Sequence, residues 1–424
     1  MTGTRRVRRL SGPIDARVAV PGSKSIANRV LVCAALARGA STISNVPDGD
    51  DSAAMVGCLR TLGLEVETFG DRVVIHGFGA VWPGRPRTLF AALAGTTSRF
   101  VTAMAALGSS PITIDGRPPL RARPFGPLHE ALRQLGVDVT SDAAPGHLPA
   151  TVTGPPTSGC AEIRGDVSSQ YVTALMMIGP ALPGGLVLTL TTPLVSRPYV
   201  ELTAAAMAWF GITDVEIAEQ AIRVSAGPYA PADVTVEPDA SSASYPLALA
   251  AVCGGVVTVP GLGAGSLQGD ARFGEVLGDM GCAVTRSHDA ITVRGTDDLH
   301  GVDIDMADIS DLVPTVAVVA AFASSPTRIR GVGFIRAKES DRLGDLSTEL
   351  RRAGVDVDET DDGLEIRPSS GHLRPARLGT HHDHRLAMAF GVLGSAVDGI
   401  VVEDPGVVSK SWPGFWTMLD GLHA

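Results

Sequence analysis

Lysine is nearly missing from this chain. Among 35 basic residues only Lys24, Lys338 and Lys410 are lysines, and arginine supplies the rest. A chain that uses arginine wherever arginine serves keeps lysine where a compact, titratable ammonium is required and a planar guanidinium fails. Paired cysteines are missing too. Cys33, Cys58, Cys160, Cys253 and Cys282 stand singly among small or apolar residues with no CxxC, which argues against a disulfide framework or a metal site and for a reducing, cytoplasmic compartment. No apolar run approaches the roughly 18 residues of a membrane span. The basic start MTGTRRVRRLSGP leads into DARVAV, not into the apolar core of about 7–15 residues that marks a signal peptide. Positive charge is in deficit, and a formal charge of −10 argues against nucleic acid as a partner, which would need a basic domain or stripe. What remains is 424 residues of ordinary globular make-up, 45% hydrophobic and 19% charged, enough for about two or three domains.

The stretch VPGSKSIANRVLVCAALA, from Val20 to Ala37, organises the rest. Pro21-Gly22 reads as a turn and Ser23 as a helix N-cap, with Val30, Leu31, Ala34, Ala35 and Ala37 continuing an apolar surface at helical spacing. Lys24, Ser25 and Arg29 then crowd the positive end of the helix dipole, where each cation costs about 0.3–1 kcal/mol. A bound anion reverses that sign, and helix starts bind phosphate and carboxylate readily. A capped surface helix with solvated basic residues is the bland alternative.

The pattern recurs. A polar turn followed by an Ala-rich apolar helix opens at Gly22, Gly95, Asp166, Asp239, Ser310 and Asp383, at intervals of 73, 71, 73, 71 and 73 residues. A second marker follows each, a helix closing on glycine before a β-like run, at Gly63, Gly136, Gly211, Gly281 and Gly354, with MLDGLHA at Gly421 ending the sixth. Between them SPITIDG, GLVLTLTT, GVVTVPG, SPTRIRGV and GIVVEDP read as strands. The Pro/Gly-rich piece from Ala144 to Gly159 falls inside the second interval and reads as a hairpin loop rather than a linker. Helices apolar nearly all round should be buried, and six polar starts suggest ends that converge on shared polar space. A solenoid stacked for stability alone would not require lysine, arginine, aspartate and histidine at the caps.

The helix starts carry Lys24, Arg29, Arg99 and Arg385, or Ser168, Ser169, Gln170 and Asp311. Loops add Arg121 and Arg123, then Ser196, Arg197 and Tyr199, then Lys338, Glu339, Arg342 and Lys410. In an acidic protein this describes a basic interior site behind an acidic shell, suited to more than one phosphate or carboxylate.

These motifs resemble the 5-enolpyruvylshikimate-3-phosphate synthase family, also called 3-phosphoshikimate 1-carboxyvinyltransferases. PGSKSIANR, AGTTSR, LRARP, VSSQ, VSRPY, the Asp of ISDLVP, KESDRL, DHRLAMA and SKSWP occur in family order and spacing. The resemblance implies an α/β fold of two similar domains, each an inside-out α/β barrel of three βαβαββ repeats, with the active site in the interdomain cleft. The first domain would span 20–238 and the second 1–19 with 239–424, crossing near Pro21 and Asp239. The implied reaction moves the enolpyruvyl group of phosphoenolpyruvate to the 5-hydroxyl of shikimate 3-phosphate and releases phosphate, a step of the shikimate pathway to aromatic amino acids. Lys24, Ser25, Arg29, Ser168, Ser169, Gln170, Ser196, Tyr199, Asp311 and Lys338 would hold shikimate 3-phosphate. Lys24, Gly95, Arg123, Gln170, Arg342, Arg385 and Lys410 would hold phosphoenolpyruvate, where the phosphonate glyphosate would compete. Asp311 would deprotonate the 5-hydroxyl, Glu339 and Lys24 would move the proton at C3, and the arginines with Lys410 would stabilise a tetrahedral intermediate. No cofactor, metal, nucleic acid or membrane is implied, and the chain is expected to act as a cytoplasmic monomer.

Three positions depart from the family pattern. Leu93 stands where Asn is frequent, Phe334 where a polar residue often lies four positions before KExDR, and Thr97 where Ala is frequent. Leu93 and Phe334 leave room for a related cyclitol or shikimate-like acceptor, and Thr97 bears on sensitivity to glyphosate. The paralogous UDP-N-acetylglucosamine enolpyruvyl transferases are similar to GSKN at the first helix and carry a reactive cysteine five residues before the Arg of ARP; here the residues are GSKS and Pro118. A non-catalytic anion-binding homologue would have little use for Asp311, Glu339 and three retained lysines.

Overall fold

A computed structural model describes residues 3–79, 84–369 and 371–422. The end of MLDGLHA, His423 and Ala424, lies outside them. Helices form at α1 (Lys24–Leu36), α2 (Asp50–Leu62), α3 (Gly95–Ala105), α4 (Pro118–Arg121), α5 (Gly126–Gln134), α6 (Ser169–Ile178) and α7 (Arg197–Trp209). They continue with α8 (Ala240–Cys253), α9 (Phe273–Asp279), α10 (Val313–Ala320), α11 (Gly344–Arg352), α12 (His384–Ala396) and α13 (Phe415–Gly421). The chain makes two compact units, Gly22–Val236 and Met1–Pro21 with Glu237–Ala424.

The repeat read from the sequence is the repeat of the fold, with α1, α3, α6, α8, α10 and α12 as its first helices. Four begin on a side-chain cap: Ser23 accepts from Ile26 N, Ser168 from Gln170 N, Asp239 from Ser242 N and Asp383 from Arg385 N. Two do not. The α3 helix starts from Ala94, and Thr96 and Thr97 bond elsewhere; α10 follows a 3₁₀ turn at Ser310–Leu312 whose Asp311 side chain is drawn to two arginines. Five of the second helices are followed by a left-handed glycine, with Gly63 at φ 101° and Gly281 at φ 102°, a conformation that costs residues with a Cβ about 1–2 kcal/mol; Gly421, expected to close the sixth, is instead the last residue of α13 and does not have a positive φ.

Five four-stranded sheets share one plan among the described residues: an edge strand pairs in parallel, and two antiparallel neighbours complete the sheet. Arg87–Phe90 runs parallel to Ile112–Asp115, for example, and Ala150–Thr153 and Asp138–Ser141 add the antiparallel pair. The segment 144–159 is therefore not all loop. Ala150–Thr153 lies inside it as a strand, its burial alternating along ATVT as a half-buried strand requires. Distant segments close the units. Asp233–Thr235 pairs with Arg38–Ser44 in the first, while Ile14–Arg17 pairs with Gly255–Pro260 and Thr4–Arg6 with Val401–Glu403 in the second.

Each unit has its own core. In Gly22–Val236 the interior is α1, α3 and α6, with α1 buried without a break from Ile26 to Leu36. In the other unit α8, α10 and α12 hold that place. Helices fill the inside and sheets lie around them, which is why the helices are apolar on every face and rich in alanine.

One core residue sets a pH limit. His129 on α5 is fully buried beside Phe125, and neither ring nitrogen has a hydrogen-bond partner among the described residues. Burial, aided by the charge of Arg133 and by His147, pushes its pKa from 6.5 down to about 4. The unfolded chain takes up this proton near pH 6.5 and the folded chain resists it, so stability drains away as pH falls from 6.5 to about 4. The full loss is about 3 kcal/mol. His129→Leu should flatten that part of a urea-denaturation profile and leave pH 8 stability nearly unchanged. A variant profile parallel to the wild type across the window would assign the acid loss elsewhere.

Candidate active site

In Gly22–Val236 the helix starts are tied together by short polar contacts. Gln170 Nε2 donates to Thr96 Oγ1 at 3.2 Å, joining α6 to α3, and Thr97 Oγ1 donates to the Asp51 carbonyl at 3.1 Å, joining α3 to α2. The Asp51 carboxylate takes Lys24 Nζ at 3.0 Å, which brings in α1. Gly95 opens α3 and makes room for cations. A Cβ there would stand 2.5 Å from Arg123 Nη1 and 2.6 Å from Arg99 Nη1, separations that close packing does not allow. Arg99 also donates to the Gly95 carbonyl and lies over the rings of Phe125 and Tyr171.

Arg29 is buried and held by oxygen atoms: Thr203 Oγ1 at 2.9 Å, the Ser25 carbonyl at 2.7 Å, Thr173 Oγ1 at 3.3 Å and the Tyr199 carbonyl at 3.0 Å. Burial lowers its pKa to about 10, opposed by the charges of Tyr199 and Cys33. Ser168 caps α6, Ser169 follows it almost fully buried, and the buried Ser196 begins α7 at φ 54° in the left-handed region. This set is cation-rich, with Arg99 and Arg123 beside Gly95, Arg29 buried in α1 and Lys24 on the Asp51 carboxylate. Anions would be stabilised there.

The second unit assembles a different network. Arg342 is 1% exposed and gives its three nitrogens to three carboxylates: Nε to Asp383, Nη1 to Asp311 and Nη2 to Glu339, each at 2.7 Å. Arg385 Nη2 reaches the other Asp311 oxygen at 2.6 Å, and Lys410 Nζ reaches the other Glu339 oxygen at 2.8 Å. Asp383 caps α12 as well as pairing with Arg342. Burial raises the Asp311 pKa, yet Arg385, Arg342 and Lys338 outweigh it and hold this carboxyl well below the usual range. For Arg342 burial is likewise outweighed, by Asp383, Glu339 and Asp311, and its pKa rises. Asp270 goes the other way. Burial and the charge of Asp311 push it up to about 7, while the Ser241 hydroxyl donates to it. Lys338 Nζ lies 5.7 Å over the Phe334 ring, so the departure at Phe334 serves as a cation–π partner.

The unit Gly22–Val236 therefore groups Lys24, Ser25, Arg29, Gly95, Arg123, Ser168, Ser169, Gln170, Ser196 and Tyr199 about its helix starts. The other unit interlocks Asp311, Glu339, Arg342, Arg385 and Lys410, with Lys338 beside Asp311. Asp51, Asp270 and Asp383 are participants that the site reading of the sequence missed. Asp51 looked like an ordinary acidic helix start in PDGDDSAAM, and Asp270 carried no signal. Asp383 stood in view as the marker of the sixth repeat. Among the described residues, a histidine and carboxylates close enough to share a metal ion occur only at Glu65, Glu67 and His76, the glutamates exposed and the histidine half-buried, on strands rather than at helix starts.

Comparison with known proteins gives this geometry a family. Residues 9–419 match the family described as EPSP synthase (3-phosphoshikimate 1-carboxyvinyltransferase). The chain is 42% identical over 414 residues to a 3-phosphoshikimate 1-carboxyvinyltransferase of Nostoc punctiforme, with 96% of each chain covered. It is 41% identical over 413 residues to one of Methanoculleus marisnigri, with 97% of each covered. In fold it is similar to an EPSP synthase from Acinetobacter baumannii, with TM-score 0.83, 24% identity and coverage of 100% and 98%. The enolpyruvyl transferase NikO from Streptomyces tendae is a further fold neighbour, with TM-score 0.79, 18% identity and the same coverage. Matched along nearly its whole length, the chain belongs to the EPSP synthase family.

Proposed function

We propose that this chain transfers the enolpyruvyl group of phosphoenolpyruvate to the 5-hydroxyl of shikimate 3-phosphate, releasing phosphate, through the two residue sets just described. The observation that carries the reading is Asp311, a carboxylate gripped by two arginines. While paired it is a weak base. When Arg342 and Arg385 turn to the phosphate and carboxylate of phosphoenolpyruvate, Asp311 loses its partners and its basicity rises, so donor binding arms the base.

In the addition step Asp311 takes the 5-hydroxyl proton as that oxygen bonds to C2, and C3 receives a proton from Glu339 or Lys24. Lys410 is in position to supply Glu339 with that proton at 2.8 Å. The tetrahedral intermediate keeps its phosphate, whose charge Lys24, Arg123 and the arginines of the second set offset. In the elimination step a C3 proton leaves, the C2–O bond to phosphate breaks and the enol ether forms. Shikimate 3-phosphate is held by Ser25, Arg29, Ser168, Ser169, Gln170, Ser196 and Tyr199 with Asp311 and Lys338. No cofactor is needed. The proposed state is a monomer, and the five free thiols fit the cytoplasm. Among the described residues no helix is long and apolar enough to cross a membrane.

Lys24 and Gln170 are assigned to both substrates, and phosphoenolpyruvate would draw Arg342 and Arg385 from Asp311, an assigned shikimate 3-phosphate ligand, so binding of one should raise the affinity for the other. Phosphate release from phosphoenolpyruvate should require shikimate 3-phosphate, and calorimetry should find each ligand tighter when the other is present. Release that instead depends on UDP-N-acetylglucosamine or another cyclitol would move the assignment to a different acceptor. Ligands that ignore each other would overturn the shared-residue reading.

A further inference from the structure

The turn between the strand Arg377–Leu378 and α12 runs through Gly379, Thr380, His381, His382 and Asp383. His381 and His382 have φ of 50° and 60°, two successive left-handed residues that are not glycine. Such residues persist only where their surroundings over-determine them. Packing does not do so here, because the turn lines a cavity of about 420 Å³ together with Arg352, Arg377 and Glu403.

Polar contacts from α11 hold it. The fully buried Glu349 carboxylate accepts the Gly379 N–H at 3.0 Å and His381 Nε2 at 2.8 Å, while Arg352 Nη1 pairs with the same carboxylate. His381 Nδ1 faces Asp345 Oδ1 at 3.3 Å. Among the described residues His382 has only Asp404, at 3.7 Å and beyond hydrogen-bond range, so His381 is the more firmly held of the pair. Two residues on, Asp383 caps α12 and binds Arg342 Nε.

We propose that His381 is a positioning residue for phosphoenolpyruvate: held by Glu349 with Asp345 beside it, it locks the left-handed turn that sets Asp383, and through Asp383 the Arg342 guanidinium and the backbone start of α12 that carries Arg385. The inference rests on the reading of those two arginines as phosphoenolpyruvate ligands. It concerns a side chain outside both proposed ligand sets.

The test is steady-state kinetics with both substrates on His381→Phe, which keeps a ring and loses both ring nitrogens, and His381→Asn, which tolerates the left-handed backbone and keeps a donor. His381→Phe should raise the KM for phosphoenolpyruvate about tenfold, the scale of a slight misplacement of binding groups. Its kcat and its KM for shikimate 3-phosphate should stay near wild type, and His381→Asn should recover most of the loss. An unchanged KM for phosphoenolpyruvate in His381→Phe overturns the proposal. So does an equal rise in both KM values with a lowered Tm, the mark of a merely structural histidine. Arg385→Lys in the same assay separates the premises: if it raises the KM for phosphoenolpyruvate and His381→Phe does not, only the histidine inference fails. If it leaves that KM alone, the ligand reading fails and takes the inference with it.

Discussion

Lys410→Arg and Lys24→Arg should each lower kcat/KM by about 10²–10⁴, the worth of a positioned proton-transfer group, with Tm nearly unchanged. Charge is conserved in both variants, so a purely electrostatic role predicts little loss. Two features argue for more. The chain has converted almost all its basic residues to arginine and spared these. Lys410 Nζ lies 2.8 Å from Glu339, whose other oxygen is already taken by the Arg342 guanidinium, and Lys24 Nζ lies 3.0 Å from Asp51. A second guanidinium beside Glu339 could pair with it but could not give up a proton, and its planar fork is wider than the ammonium it replaces. Both lysines are mostly buried, which leaves that fork little room. Near-normal kcat/KM in both variants would show that the lysines survive by chance.

Gly95→Ala should weaken glyphosate by about 100-fold and raise the KM for phosphoenolpyruvate by about tenfold, because a methyl forced into close packing costs about 1–3 kcal/mol. The family resemblance, which puts Gly95 against phosphoenolpyruvate, implies that the methyl would enter the pocket itself. The structure gives a different cause, since the Cβ would meet Arg123 Nη1 and Arg99 Nη1 and push both guanidiniums aside. Glyphosate separates its phosphorus from its carboxyl carbon by three atoms where phosphoenolpyruvate uses two, so the longer molecule loses more when the cations shift. Wild-type inhibition should be competitive with phosphoenolpyruvate and strengthen as shikimate 3-phosphate rises. Thr97 does not stand against this, because its hydroxyl is engaged by the Asp51 carbonyl. A wild-type enzyme indifferent to millimolar glyphosate, or an alanine variant equally sensitive, would reject the pocket assignment and leave the reaction assignment standing.

The repeat, the first helices and the closing glycines could be read from the chain because they rest on local rules: a capping hydroxyl before an apolar helix, a left-handed residue after one. Chemistry-bearing residues were legible where they sat on those markers, as Lys24, Gly95, Gln170, Asp311 and Arg385 do. Partnership was not. Nothing in DGDD says that Asp51 meets Lys24, and nothing in QGD says that Asp270 will be buried near Asp311, since such pairs depend on which helix starts the sheets bring together. The strand Ala150–Thr153 was hidden by the prolines and glycines around it. Its alternation was present but only four residues long. The uncapped α3 and α10 show the reverse, where Thr97 and Asp311 leave capping for tertiary partners worth more than about 1 kcal/mol, the usual value of a cap.

Sheet closure by distant segments sets an order of assembly during synthesis. The unit Gly22–Val236 is one uninterrupted run whose last strand, Asp233–Thr235, meets Arg38–Ser44, so it can finish folding while the rest of the chain is still being made. The strand Ile14–Arg17 waits for Gly255–Pro260, and Thr4–Arg6 waits until Val401–Glu403 emerges. Its unpaired edge stays open to other chains through most of translation. The unit that holds Asp311, Glu339 and Arg342 is therefore the slower to form, because its sheets join residues nearly the full length of the chain apart, and loop closure over that distance must precede any gain from pairing.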